Sequence, residues 1–540
     1  MSEVINGKAV SQGFGIGKAI IIEDVNLDYS AVKYKTAEEE KARLEKAVEE
    51  YGAKMRETAK KLKKSMGEKE AEILEGHIAM LSDSLMLARI NENVESGCVA
   101  EAAVDTVCTE LYDLFFGLDD ETMRCRASDI KDIKENLLAV LLGVEKADIA
   151  FVPKGSVLIA KEFTPSIISR INKDNVSAIV AEAGEKTSHS AILARAAGIP
   201  AVFSATCATQ LIKNGDLLLV DGFRGRVLTN PRKTEIAEYS KKQRAFTDEK
   251  EELKAFIKKP AVTKSGIKKE VFGNIGNAAD VKSVIQSGGE GIGLFRTEFL
   301  FAGRISEPGE EEQLEAYSTV AKAMDGKEVI IRTFDIGGDK RIDYLKTEKE
   351  DNPLLGMRAI RYCLKNTGFF KTQLRALLRA AYFGNIKIML PLISSLDEIR
   401  NTKTLINECA AELDSEGVPY RMAPLGIMIE TPSAALISDL LAREVDFFSI
   451  GTNDLTGYTM AVDRGNAAVS SLYDTLNPAV LRAVEMTIKN AKAAGITVGM
   501  CGEAAADERL IPRLAEWGLD VFSVAPSSIL KTKRNVCKCE

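Results

Sequence analysis

Histidine is scarce in this sequence, which contains only His77 and His189. Any chemistry that needs an imidazole must therefore use one of these two residues. The nine cysteines are odd in number and spread along the chain, so they do not indicate a disulfide framework. Cys537 and Cys539 have no second pair of ligands nearby in the sequence, and a metal site at this end of the chain is not favoured.

An excess of basic residues and a long apolar run are also absent. The formal net charge of −7 argues against a nucleic-acid partner, which would require a basic surface. No run of apolar residues approaches the roughly 20 that are needed to span a bilayer. The first residues, MSEVINGKAV, lack the charged and apolar regions of a signal peptide. We therefore expect a cytoplasmic protein with no membrane insertion.

The first half of the chain combines short strands with a helical segment. Strand-like runs occupy residues 1–30 and return after residue 146, whereas residues 31–145 have helical periodicity that starts at a capping box of Thr36 and Glu39. The run SQGFGIGKA is compatible with a phosphate loop or with a glycine-rich strand turn. We predict an α/β subdomain formed by residues 1–30 and 146–230, with a helical bundle inserted at 31–145.

The second half alternates apolar runs with helical segments. A charged helix at 231–260 is predicted to link the halves. Eight apolar runs then begin at residues 271, 291, 329, 386, 425, 447, 496 and 519. Eight strands with intervening helices are typical of a (β/α)8 TIM barrel, which we predict for residues 261–540. The long connection 338–385 is interpreted as an elaborated loop.

Polar and charged residues stand where several of these predicted strands end. A TIM barrel carries its active site at the C-terminal ends of its strands. Each residue alone could be a solvated surface residue, but their joint occurrence indicates a site. Arginines suit a phosphate group, two carboxylates suit Mg²⁺, and a protonated thiol can donate a proton. The residues are Arg296, Arg332 with Asp335, Glu430, Asn453 with Asp454, and Cys501 with Glu503.

His189 lies in the run KTSHSAILARAAGIP. A helix is predicted over 189–197, capped by Thr187 or Ser188 and stopped by Gly198. The N-terminus of a helix favours a bound anion, so a phosphoryl group on His189 would be stabilised there. On this run alone, an ordinary surface histidine at a helix cap remains an alternative.

Seven ordered motifs carry a resemblance that covers nearly the whole chain. They are KTSHSAILAR, GIGLFRTEFLF, IRTFDIGGDK, NPLLGMRAIR, GIMIETPSA, FFSIGTNDLTGYTMAVDRGN and GMCGEAAAD. With them, the sequence resembles the enzyme I family of the bacterial sugar phosphotransferase system, the phosphoenolpyruvate-protein phosphotransferases. The resemblance implies transfer of a phosphoryl group from phosphoenolpyruvate to His189 and then to the histidine-phosphocarrier protein, as the first step of sugar uptake.

The resemblance also implies roles for individual residues. His189 would accept the phosphoryl group through Nε2, Cys501 would protonate the enolate to pyruvate, and Mg²⁺ would be held by Glu430 and Asp454. The barrel would form a homodimer. Residues implied to bind phosphoenolpyruvate are Arg296, Arg332, Lys340, Asn352, Arg358, Asn453 and Arg464.

The helical insertion is implied to dock the carrier protein. His77 can be interpreted as an ordinary bundle residue, but the resemblance favours a place on the docking surface. The accompanying residues are Glu68, Lys69, Met80, Asp83 and Arg126.

Three other functions agree less well with the residues. A phosphoenolpyruvate synthase or dikinase needs a large nucleotide-binding module before the histidine, and only about 180 residues precede His189. The nitrogen-branch paralogue carries an additional N-terminal sensory domain, for which we expect no room. An inactive regulatory scaffold would have lost residues such as His189, Arg296 or Cys501, which are all present.

Overall fold

The structure is a computed structural model. It describes residues 3–22, 26–65, 68–117, 121–144, 149, 152–185, 188–302, 304, 306–337, 344, 350–466 and 468–540, without the side chains of 64, 65, 68–70 and 121–125. The chain divides into two compact units, 1–249 and 250–540.

The first unit contains one eight-stranded mixed sheet. Its strands follow the order β1-β8-β7-β3-β4-β5-β6-β2. Strands from before and after the helical segment pair directly, because β3 runs parallel to β4. The predicted α/β subdomain with an inserted bundle is confirmed. The strands are β1 (Glu3–Asn6), β2 (Lys8–Ser11), β3 (Phe14–Ile21), β4 (Ser156–Ala160), β5 (Val176–Ala181), β6 (Ala201–Phe203), β7 (Leu217–Asp221) and β8 (Arg226–Thr229).

The glycine-rich run near the N-terminus lies within and just before β3. A Cβ on Gly17 would lie 1.8 Å from the carbonyl oxygen of Gly155 on the neighbouring chain segment. Gly13 has φ +137°, a conformation that side chains rarely adopt. Close strand packing and a turn therefore account for these glycines, which favours the strand-turn alternative over a phosphate loop.

The inserted bundle is built from five helices. The helical segment over residues 68–95 is divided into two helices at Asp83. The Asp83 carboxylate accepts a hydrogen bond from the N–H of Met86 at 2.8 Å and starts a new helix. The bundle helices are α1 (Ala37–Ser65), α2 (Glu68–Leu81), α3 (Ser84–Glu95), α4 (Ala100–Phe116) and α5 (Glu121–Leu142).

Four further helices occur in or leave the first unit. Three are short and connect the strands of its sheet. The fourth is the predicted linker helix, and the division between the two units falls within it. They are α6 (Pro165–Ser169), α7 (His189–Ala197), α8 (Ala208–Leu211) and α9 (Lys233–Lys254).

The second unit is a closed barrel of eight parallel strands. Closure follows from pairing of β10 with both β11 and β17, and β9 adds an antiparallel strand at the edge. The predicted TIM barrel is confirmed. The strands are β9 (Ala261–Val262), β10 (Lys268–Ile275), β11 (Ile292–Phe295), β12 (Val329–Arg332), β13 (Ile386–Leu390), β14 (Leu425–Ile429), β15 (Phe447–Ile450), β16 (Thr497–Met500) and β17 (Val521–Val524).

The connection predicted as a loop at 338–385 contains two helices, α12 and α13. Phe370, Leu374 and Leu377 of α13 are fully buried in the core of the unit, so its apolar face drives helix formation. Within the described residues, no helix has the length and apolar character that a membrane span requires. The helices of this unit are α10 (Asp280–Gln286), α11 (Glu310–Ala323), α12 (Ala359–Lys365), α13 (Thr367–Ala381), α14 (Leu396–Glu416), α15 (Pro432–Leu436), α16 (Ser438–Leu441), α17 (Thr452–Met460), α18 (Pro478–Ala494), α19 (Ile511–Trp517) and α20 (Ile529–Lys538).

Candidate active site

His189 is the first residue of α7 in the first unit. The hydroxyl oxygen of Ser188 accepts a hydrogen bond from the N–H of Ala191 at 3.2 Å, so Ser188 is the cap. Gly198 ends the helix in the left-handed conformation at φ 69°. Thr187, the other predicted cap, lies outside the described residues. The His189 side chain is 30% exposed, which leaves part of the ring open to solvent at a helix N-terminus.

Asp129 of α5 orients the His189 ring. Nδ1 of His189 lies 3.1 Å from Oδ1 and 3.0 Å from Oδ2 of the carboxylate. Burial by itself raises the pKa of Asp129, but the hydrogen bond from His189 and the charge of the nearby His77 ring lower it below its ordinary value. An ionised carboxylate can only accept, so the ring proton resides on Nδ1 and the lone pair on Nε2. This arrangement leaves the lone pair of Nε2 available.

His77 is not on a docking surface, so that interpretation is corrected. Its side chain is 1% exposed and lies beneath His189, with Nε2 2.9 Å from Oδ1 of Asp129. Nδ1 faces Asp132 at 3.7 Å. Burial by itself lowers the pKa of His77, but Asp129 and Asp132 raise it above its ordinary value. The packing of α2 against α5 explains the burial, because the ring points at the carboxylates of α5.

The other predicted docking residues fall into two groups. Asp83 and Arg126 are exposed, and Met80 is half-buried. These positions are compatible with a partner surface. Glu68 and Lys69 belong to α2, but their side chains lie outside the described part of the structure.

The C-terminal end of the barrel brings charged residues together around Arg332. This arginine ends β12, and its guanidinium pairs with Glu298 and, at 2.7 Å, with Asp335. Burial by itself lowers the pKa of Arg332, but Asp335, Glu298 and Glu430 raise it above its ordinary value, so it stays cationic. Its buried Nε has no hydrogen-bond partner among the described residues. Glu298 is a member of this site that the sequence did not single out.

Arg358 extends the same cluster. Its Nη2 lies 2.9 Å from Asp335 and 3.1 Å from Asp454, and Nη1 lies 3.4 Å from the hydroxyl of Tyr458. Its Nε is also buried and lacks a partner within the described part of the chain. A buried polar group without a partner is costly. The two orphaned donors of Arg332 and Arg358 are therefore suited to an anionic ligand with several oxygens.

Glu430 and Asp454 follow neighbouring strands, β14 and β15. Glu430 is 2% exposed, and its Oε1 accepts a hydrogen bond from the N–H of Leu392 at 2.6 Å. Burial and the charges of Asp454 and Asp335 raise the pKa of Glu430 well above its ordinary value. A dication would relieve this repulsion, and carboxylate oxygens are ligands that Mg²⁺ prefers. The residues present therefore fit the predicted metal.

Cys501 follows β16 and lies close enough to Glu430 and Arg332 to interact with their charges. It is 4% exposed and packs among apolar side chains of the barrel interior, which include Leu294, Met389 and Met428. Burial raises the pKa of the Cys501 thiol, so the group keeps its proton at neutral pH. Asn274 donates a hydrogen bond to the Cys501 carbonyl at 3.1 Å and fixes the backbone there.

The remaining predicted substrate residues are less closely joined to the cluster. Arg296 follows β11 and is exposed. Its charge acts to lower the pKa of the Cys501 thiol, against the larger effect of burial. The side-chain oxygen of Asn453 faces the N–H of Glu503 at 3.4 Å. Asn352 and Arg464 are exposed. Lys340 lies outside the described residues.

Three family models match the chain in sequence order. They are PEP-utilising enzyme, N-terminal, over residues 6–126, PEP-utilising enzyme, mobile domain, over 152–225, and PEP-utilising enzyme, PEP-binding domain, over 250–540. His189 lies within the mobile-domain match, and the barrel cluster lies within the PEP-binding match.

Curated relatives match over almost the whole chain. A phosphoenolpyruvate-protein phosphotransferase of Priestia megaterium is 44% identical over 538 residues, which are 99% of this chain and 94% of that protein. A protein of the same name from Bacillus subtilis is 41% identical over 540 residues, with the same coverage. A solution NMR structure of Enzyme I is 30% identical and covers 45% of this chain and 99% of its own, at a TM-score of 0.39.

Proposed function

Because the chain belongs to the family of phosphoenolpyruvate-protein phosphotransferases, we propose that it transfers the phosphoryl group of phosphoenolpyruvate to its own His189. The phosphoryl group then passes to a histidine-phosphocarrier protein, as the first step of sugar uptake by a phosphotransferase system. The observation that carries this proposal is the Asp129–His189 hydrogen bond, which leaves Nε2 free to attack.

Two groups of this chain supply the nucleophile and the proton for the chemical step. The lone pair of His189 Nε2 attacks phosphorus, the P–N bond forms, and the P–O bond to the enol oxygen breaks. The electron pair of the broken bond remains on the enolate. Cys501 donates its proton to the methylene carbon, which yields pyruvate. Solvent then returns a proton to the thiolate.

Binding of phosphoenolpyruvate is assigned to the arginines of the barrel. Arg332 and Arg358 are held by Asp335, so their planar guanidiniums have fixed orientations before the substrate arrives. Their orphaned Nε–H donors would be satisfied by phosphate or carboxylate oxygens. We assign Arg296, Lys340, Asn352, Asn453 and Arg464 to the same substrate as further contacts.

Glu430 and Asp454 would hold Mg²⁺. The bound metal would neutralise charge on the phosphoryl oxygens and on the enolate. Arg358, whose Nη2 lies 3.1 Å from Asp454, would hold that carboxylate in position.

We also propose different functions for the subdomains of the chain. Residues 1–30 and 146–230 would carry the acceptor, and residues 31–145 would dock the carrier through a surface that includes Met80, Asp83 and Arg126, with Glu68 and Lys69. The helix at 231–260 would link the halves. Residues 261–540 would bind phosphoenolpyruvate and form a homodimer. The site of action would be the cytoplasm.

The experiment that tests the proposal follows phosphate through both transfers. The protein is mixed with labelled phosphoenolpyruvate, Mg²⁺ and a purified histidine-phosphocarrier protein, and pyruvate and labelled carrier are measured together. We expect one pyruvate per phosphoryl group transferred and none after chelation of Mg²⁺. Pyruvate release without label on the carrier would contradict the proposal.

A further inference from the structure

Two histidines and one carboxylate converge in the first unit. They are His77, Asp129 and His189, and one ligand atom from each lies within 4.8 Å of the other two. Nε2 of His77 is 2.9 Å from Asp129, and Nδ1 of His189 is 3.0 Å from the same carboxylate. No other group of three such side chains is found in the described residues.

These donors match the preferences of a transition-metal dication. Zn²⁺ binds imidazole nitrogen at about 2.0–2.1 Å and carboxylate oxygen at about 2.0–2.2 Å, so two of its ligands lie about 3 Å apart. The separations of His77 and His189 from Asp129 have that size. Two imidazoles with one carboxylate favour such an ion over Mg²⁺ or Ca²⁺, which prefer oxygen alone.

The orientation of the His77 ring independently favours a bound cation at this place. Its side chain is 1% exposed, and neither ring nitrogen makes a hydrogen bond of acceptable geometry within the described part of the chain. Because Nε2 is only 2.9 Å from Oδ1 of Asp129, the distance is suitable and the angle is not: the oxygen does not lie in line with the N–H direction of Nε2. A buried ring nitrogen without a hydrogen bond costs folding free energy. A cation in front of Nε2 would be within reach of both groups and would satisfy the nitrogen.

A second carboxylate, that of Asp132, faces the other ring nitrogen of His77. Oδ2 of Asp132 faces Nδ1 of His77 at 3.7 Å, and Oδ1 accepts hydrogen bonds from Ser166 at 2.7 Å and Asn136 at 2.8 Å. Metal-binding histidines typically direct their second nitrogen to a carboxylate that is itself fixed by hydrogen bonds. Asp132 occupies that place.

We propose that His77, Asp129 and His189 form a binding site for one Zn²⁺-class ion that competes with phosphorylation of His189. The site is closed at His77 and open to solvent at His189, where water would complete the coordination. An ion on Nδ1 of His189 displaces the ring proton, and the neutral ring then carries its proton on Nε2. The lone pair needed for attack on phosphorus is lost. This consequence rests on the proposed function, whereas the metal site does not.

The test uses the full chain with isotope-labelled histidine and reads the ring signals by NMR. Because the chain has only two histidines, both imidazoles are assigned with the single variant His77→Gln. Exposed thiols such as Cys207 are first alkylated, which removes competing zinc ligands. We expect one equivalent of Zn²⁺ to shift the signals of both rings, and removal of zinc by a chelator to reverse the shifts.

Zinc affinity is then compared between variants by calorimetry. His77→Gln should weaken binding at least about tenfold, as loss of a ligand or its support does at other metal sites. Asp174→Asn removes an exposed carboxylate of the same unit and should bind zinc like the unmodified sequence. Unmoved ring signals, a shift of His189 alone, or equal affinity in His77→Gln would overturn the site. Failure of phosphoryl transfer would leave these readouts unchanged, so the two proposals fail separately.

Discussion

Gly451 lies where a single added methyl group would reach the candidate metal ligand. A Cβ built on Gly451 would lie 2.8 Å from Oε2 of Glu430 and 3.0 Å from the Cγ of Met428. Ordinary contact begins at 3.4 Å, so Gly451→Ala must displace the carboxylate by about 0.6 Å. The backbone of Gly451 has φ −89° and ψ 82°, which alanine can adopt, so the effect comes from the contact.

The carboxylate cannot move freely. Oε1 of Glu430 is held by the N–H of Leu392 at 2.6 Å, and the side chain is buried. Overpacking of this kind costs about 1–3 kcal/mol. If about 1.4 kcal/mol of that cost falls on the metal-bound state, the apparent Mg²⁺ requirement rises about tenfold.

The assay measures phosphoenzyme formation from phosphoenolpyruvate across a range of Mg²⁺ concentrations, with thermal unfolding as a parallel readout. Gly309→Ala is the matched control, because its Cβ would meet no atom within 4 Å and its φ is −70°. We expect the control to keep the original Mg²⁺ requirement. A Gly451→Ala protein that also keeps it would refute the assignment of Glu430 as a metal ligand.

Four further predictions concern the acceptor, the acid and the metal. Asp129→Asn should slow phosphorylation of His189 by about 10- to 100-fold, because a charge-assisted hydrogen bond of about 1.5–3 kcal/mol is lost, and unchanged quench-flow kinetics would count against the tautomer argument. Cys501→Ala should slow pyruvate formation by about 10²–10⁴-fold while substrate still binds, and turnover within twofold would show that another group supplies the proton. With Cys501 present, turnover should not decline as pH rises through about 8.5, because burial raises the pKa of the thiol and the acid stays protonated. Asp454→Ala should raise the Mg²⁺ requirement for phosphoenzyme formation steeply, and an unaltered Mg²⁺ titration would exclude it as a ligand.

The barrel was predictable from the sequence because its strands are buried on both faces. Val329, Ile331 and Phe448 are at most 1% exposed, and such strands appear as short continuous apolar runs. The charged site residues at the ends of these runs were also predictable. A packed barrel interior consists of apolar side chains, so packing does not explain charged residues at the strand ends. The helix over 359–365 and the one over 367–381 were missed because a long insertion was treated as irregular structure.

The contacts around His189 were not predictable. Asp129 lies 60 residues before His189 and reaches it only through packing of α5 against the subdomain. His77 shares an apolar helical face with Ile73 and Met80, and that pattern does not distinguish a ring at a partner surface from one buried beside a carboxylate. The pairing of Arg332 with Glu298 likewise depends on how two barrel strands end side by side.

In the proposed function, Nε2 of His189 receives the phosphoryl group from phosphoenolpyruvate. The direct measurement is a single-turnover reaction with labelled phosphoenolpyruvate and Mg²⁺, followed by rapid digestion at alkaline pH and mass-spectrometric mapping of the labelled peptide. We predict one phosphoryl group per chain on the peptide that contains His189, and none in His189→Ala. Label on the peptide that contains His77, on a carboxylate, or persisting in His189→Ala would contradict the assignment of His189 as the acceptor.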